Sequence, residues 1–228
     1  LSDSSDISTI ETENSEWSLF SLSFSSFALT NITICDSTFR HKSIILIDSA
    51  IQKALTERIY STYCYNQHPI NPSIDTTASV LYFGHLNMML GCYRLLSQDS
   101  KYDELNDKIS QSLNKRFYQS KFMCLESYPG LIWIPDNTVA LASLKLHSKN
   151  TGKKYSIFKG WIGYAKKHFL DKETGLLCST INSQTGKQTE EPRGAMLGWS
   201  IFFMHHFDKE FAKQQYQQYK DKFSDNMF

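Results

Sequence analysis

Val80–Leu96 reads VLYFGHLNMMLGCYRLL, a run with no formal charge before Arg94. A helix that is apolar on every side is a buried helix, not a surface one. Working outward, similar bare stretches begin near Trp17, Asp136 (DNTVALASLKL) and Gly194 (GAMLGWSIFFMHHF), and with this one they recur at roughly 60 residues. Amphipathic stretches follow each of them. Ile44, Ile47, Ile51 and Leu55 form one apolar stripe; Tyr102, Leu105, Ile109, Leu113 and Phe117 form the next. Phe158, Ile162, Ala165 and Phe169 form the third, and Ala212, Tyr216, Tyr219 and Phe223 the fourth. The period is too long for most helical solenoids. Inner helices buried all round, alternating with outer helices, predict an all-α fold: an incomplete α/α toroid of about four helical hairpins. Gly84, Gly91 and Gly198 lie inside the bare helices, where each costs about 1 kcal/mol relative to Ala. Close helix–helix approach is the simplest reason to keep them.

The turns leaving the bare helices are short and the loops entering them are long. Short exits make each hairpin antiparallel, so the long loops gather at one end. The longest, DKETGLLCSTINSQTGKQTEEPRG (Asp171–Gly194), predicts a short β-hairpin near Leu176 to Thr189, with Gly175 and Gly186 as turn residues. Residues 1–15, Ser-rich and acidic, are expected to be a flexible segment, and residues 16–228 a single domain.

A formal net charge of +1 and a pI near 7.8 argue against nucleic acid as a partner. Five cysteines without close pairs predict neither a disulfide framework nor a zinc site. Neither a metal nor a cofactor is expected. No HExxH, Walker loop, GxSxG or EF-hand occurs. Trp17–Cys35 is uncharged and long enough to raise a membrane span, but its many Ser, Thr and Asn residues favour a buried helix, so no span is expected. The opening residues lack the basic flank and apolar core of a signal peptide. Cytoplasmic and periplasmic locations both stay open, as does a homo-oligomer.

Function is expected on the gathered loops. The residues there are Trp17, Tyr82, His85, Asn87, Cys124, Glu126, Tyr128, Trp133, Asp136, Asn137, Glu191, Arg193 and Trp199. Carboxylates converging with aromatics and one arginine suit an acid/base pocket for a small molecule. A general acid needs a carboxyl whose pKa is raised by apolar surroundings, and Tyr128 and Trp133 are placed to supply that for Glu126. Glu126, Asp136, His85 and Cys124 are the catalytic candidates; the others are candidates for substrate binding. Each has a plainer reading. Asp136 and Asn137 suit helix caps, Arg193 suits a tie between loops, and His85 suits a core histidine with one hydrogen bond.

The segments EWSLFSLSFSSFALTNI, YFGHLNMMLGCYRLL, CLESYPGLIWIPDNTVALASL and EEPRGAMLGWS together resemble a bacterial α/α-barrel group, the linalool dehydratase/isomerase family. The resemblance runs from about Glu16 to Phe223. It implies a barrel of inner and outer helices with its active site at the mouth. It also implies metal-free addition and removal of water at an isoprenoid alcohol, by cysteines with supporting Asp, Tyr and His. On the matching positions Cys124 takes the place of the first family cysteine, and His85 is the candidate for its histidine. The second cysteine belongs near Trp133, where this chain has none. Glycoside hydrolysis, which toroids often perform, and a non-catalytic binding or scaffold role are the other readings. Buried thiols are usually inert, so Cys124 is not expected to be a nucleophile.

Overall fold

The computed structural model describes residues 15–63 and 79–223. The flexible segment expected at the N-terminus and Cys64 lie outside the described residues. Among these residues the helices are α1 (Ser15–Cys35), α2 (Arg40–Ala54), α3 (Glu57–Tyr60), α4 (Val80–Leu96) and α5 (Asp103–Gln119), then α6 (Ile134–Thr151), α7 (Ile157–His168), α8 (Gly194–Met204) and α9 (Lys209–Phe223). Two three-residue strands, β1 (Leu131–Trp133) and β2 (Thr180–Asn182), complete an all-α fold with one small antiparallel ladder.

The four bare stretches are α1, α4, α6 and α8, and they pack side by side in that order. Contacts advance in step along them. Gly84 of α4 meets Ala140 of α6, and about two turns later Gly91 meets Leu146. Phe20 and Phe24 of α1 meet Trp199 of α8, and further on Phe27 meets Phe203. The four helices therefore run parallel, with their N-terminal ends together. A Cβ on Gly84 would stand 3.1 Å from the backbone nitrogen of Ala140, so this glycine sets the separation of α4 and α6. Gly198 is different: nothing lies within 4 Å of where its Cβ would be, and close approach does not explain it.

The amphipathic helices lie behind this row and bury the stripes expected of them, with one shift of register. Helix α9 turns Phe211, Ala212 and Gln215 inward and leaves Tyr216 52% exposed. Gln215 is drawn in because its side-chain oxygen accepts from the Leu177 N–H and its amide donates to the Gly175 carbonyl, tying the long loop to the helix. Polar pairing outweighed the aromatic stripe.

Helix α1 departs from the expectation of burial on every side. It buries Ser18, Ser23, Ser26, Thr30 and Thr33 while exposing Trp17, Phe24, Ile32 and Ile34. The inversion is tolerable because the hydroxyls of Ser26, Thr30 and Thr33 each donate to the carbonyl four residues back, at 2.8 Å. Its segment Glu16–Cys35 is long and apolar enough to cross a membrane by length and composition, and 39% of that window is buried inside the protein.

The glycine turns in the long loop form as expected, with Gly175 at φ 67° and Gly186 at φ 70°. The ladder does not stay within that loop. Thr180–Asn182 pairs across to Leu131–Trp133, with Trp133 opposite Thr180, and only a single bridge, Ile181 to Gln188, closes the local hairpin. Two of the long loops are thus hydrogen-bonded to each other at the N-terminal end of α6.

Candidate functional site

Ser127, Tyr128, Trp133 and Asp136 meet where the first of these loops enters α6. Pro135 stands in the first turn, where its missing N–H is no loss. Trp133 occupies the cap position, so Asp136 is not a cap as its plainer reading had it; it sits inside the first turn and is 5% exposed. Burial pushes the Asp136 carboxyl up to about 7, against a hydrogen bond from Ser127 that lowers it, and the charge of Glu16 adds to the rise. Glu16 is itself half-buried, and burial raises its pKa. The Tyr128 hydroxyl donates to the Glu16 carboxylate. Two carboxyl groups with raised pKa values, one of them hydrogen-bonded to a phenol, therefore lie near the N-terminal ends of α1 and α6, close enough for the charge of Glu16 to be felt at Asp136.

The wall beside them is aromatic. His85 is fully buried among Phe20, Phe24, Phe27 and Trp199, with ring centroids 5.2 to 6.0 Å away. Its Nδ1 shares a 2.8 Å hydrogen bond with the Ser23 hydroxyl, while Nε2 is buried without a partner. Burial lowers its pKa to about 3, so the ring is neutral at ordinary pH. The indole N–H groups of Trp199 and Trp133 are likewise buried and unpartnered. Arg193 lies 5.6 Å over the Trp133 ring; its backbone N–H donates to the Ser179 hydroxyl and its guanidinium pairs with Glu190 at 3.3 Å.

Several expected members lie elsewhere. Glu126 is exposed and accepts from the Gly130 N–H, so the apolar surroundings expected for it belong to Asp136. Cys124 faces α7, where its sulfur accepts from the Trp161 indole at 3.3 Å, and burial raises its thiol well above the usual range. That burial keeps the thiol protonated at neutral pH. Tyr82 points to the other side of α4, donating to the Ala54 carbonyl and stacking on Tyr63. Asn87 is held in a polar girdle with Asn106, Ser110 and Ser143. Asn137 clamps the incoming loop through the N–H and carbonyl of Leu125 and the carbonyl of Trp133. Glu191 and Trp17 are exposed on the rim.

Glu16, Phe20, Ser23 and Ser127 belong to the site and were not among the expected residues. Ser127, nine positions before Asp136, offered the only local signal, because a short loop folding back onto its own helix brings such a pair together. The α1 residues gave none. Among the described residues no three His, Cys, Asp or Glu side chains cluster as a metal site.

The linalool dehydratase/isomerase family model matches residues 101–227, more than half of the chain. The match takes in Ser127, Tyr128, Trp133, Asp136, Arg193 and Trp199, while Glu16 and His85 lie before it. By this match and the helical architecture around it, the chain belongs to the linalool dehydratase/isomerase family.

Proposed function

We propose that the protein is an enzyme that removes water from, or adds it to, a small and largely apolar alcohol, with Asp136 as the proton carrier. The observation that carries this reading is the buried Asp136 carboxyl, poised near 7 beside the Glu16–Tyr128 pair. A carboxyl with a pKa near the working pH is suited to giving up and regaining a proton. In the dehydration direction Asp136 protonates the substrate hydroxyl, the C–O bond breaks and water leaves. Glu16 takes a proton from the adjacent carbon, and the C–H electron pair becomes the new double bond. Return of that proton from Glu16 to Asp136 restores the starting state. Positive charge building on carbon during C–O cleavage is stabilised by the ring faces of Phe20, Phe24 and Trp199. The neutral His85 does not oppose it. We read the four hairpins as part of a single α/α barrel and this site as its mouth.

The same packing favours a second reading. Rings that enclose His85 on several sides also suit a binding or scaffold protein whose polar groups only fasten loops. The experiment is a panel of isoprenoid alcohols and glycosides, followed by gas chromatography and sugar analysis, with Asp136→Asn as control. The expected result is interconversion of an alcohol and its alkene, slowed at least about a hundredfold by the substitution. Turnover of glycosides alone, or alcohol turnover indifferent to Asp136→Asn, would overturn the dehydration reading. No turnover of either class would favour the scaffold.

A further inference from the structure

The C-terminal ends of the same four inner helices enclose a half-open cavity of about 490 Å³. Small-molecule sites run roughly 300–1,000 Å³. Its walls are mostly apolar, with Phe27 and Ile34 from α1, Met88 and Leu95 from α4, Leu146 from α6, and Phe203 from α8. One rim is basic. Lys145 and Lys149, four residues apart and so on one face of α6, stand with His206, which follows α8. The His205 ring lies 6.4 Å from that of His206. Among the described residues none of these four side chains is paired with a carboxylate. Lys145 has its Nζ 5.7 Å over the Phe158 ring. The negative ends of the α6 and α8 dipoles make such a cluster tolerable without a counter-ion, and its N–H donors stay open to a ligand. Burial first, and then the neighbouring charges of His205 and Lys149, lower the pKa of His206, so the positive charge of this rim comes from the two lysines.

We propose that this cavity binds an amphipathic anion, with an alkyl or prenyl chain in the apolar trough and a carboxylate or phosphate head on Lys145, Lys149 and His206. Charge complementarity selects the head, because a strongly hydrated lysine pair has nothing to gain from a neutral one. Wall chemistry selects the chain. The site is separate from the carboxylate mouth and does not rest on the reading of that mouth.

Isothermal titration calorimetry on the whole chain tests it, using dodecanoate, dodecyl phosphate and dodecanol as probes below their aggregation limits. The expected result is saturable one-to-one binding of at least one anion, at least about tenfold tighter than dodecanol. The double variant Lys145→Gln/Lys149→Gln should lose about tenfold in affinity for that anion. Both positions are exposed, and circular dichroism will confirm that the variant folds. Preference between carboxylate and phosphate distinguishes a fatty-acid-like from a phosphorylated ligand. No saturable binding of either anion, equal binding of dodecanol, or an unchanged double variant would each overturn the proposal.

Discussion

His85 and Asn87 are two residues apart on α4, equally buried, and opposite in circumstance. At 3.6 residues per turn they point to nearly opposite sides of the helix. His85 faces α1 and α8, where it has one hydrogen bond, a ring of aromatics and an unpartnered Nε2. Asn87 faces α5 and α6, where its amide donates to Ser110 and Ser143 and its oxygen accepts from Asn106 and Ser110. One side of the helix is a saturated polar girdle. The other is a packed aromatic cluster with nitrogen atoms left over. A fully paired network specifies a packing and does little else, whereas buried polar atoms left unpaired call for an explanation, and the proposed chemistry supplies one.

The largest effect that would break this contrast is at Asp136. Asp136→Asn should slow turnover at least about a hundredfold. It should also raise stability at pH 8. A carboxyl lifted from 3.8 to about 7 by folding contributes stability that is full below about pH 4 and is lost as pH rises through about 7. Denaturation of both proteins between pH 4 and pH 8 checks the sign, since the advantage of the variant should grow with pH at about 1.4 kcal/mol per unit. A variant less stable than the wild type at pH 8 would contradict the buried acid.

Asn87→Leu should destabilise by about 3 kcal/mol or more, because Asn106, Ser110 and Ser143 each lose a partner while still buried. Urea denaturation measures it, and a change below about 1 kcal/mol would mean the girdle is wet or loosely held. Gly84→Ala comes next, at about 1–3 kcal/mol. Its Cβ would press on the Ala140 backbone, which cannot swing aside as a side chain does. The smallest effect should be His85→Phe, under about 1 kcal/mol at pH 7, since little more than the bond to Ser23 is lost. Acid should reveal the difference. Folding holds the His85 pKa down at about 3, so the wild type loses stability as pH falls through 6.5 toward 3, at about 1.4 kcal/mol per unit. The variant should not share that loss, and parallel acid-unfolding curves would show that His85 is not buried neutral.

Much of this was legible in the chain. The four bare stretches and the four amphipathic ones correspond to helices, because burial on all sides and burial on one side leave different periodicities. Asp136, Tyr128 and Trp133 were legible as candidates because they flank the start of α6, and Trp199 because it lies in the bare helix α8. Glu126 and Asp136 were harder to tell apart. Both are acidic residues near a proline, and only the path of the loop puts one in solvent and buries the other. Helix α1 misled in a specific way: its lack of charge was read as full burial, but a row of hydroxyls bonded to their own backbone lets it bury polar residues beside Leu19, Leu22 and Phe27 while Trp17, Phe24, Ile32 and Ile34 stay exposed.

Local pattern thus determined the class of fold, the family resemblance and the end of the molecule at which the loops collect, since these follow from periodicity and from residues close in sequence. Tertiary structure alone decided which acid is buried, which side of α4 carries the unpaired nitrogens, and that the charge of Glu16 is felt at Asp136, 120 positions away. Desolvation and hydrogen-bond pairing are set by what lies across the gap between helices, and nothing in a segment's own composition reports what that neighbour will be.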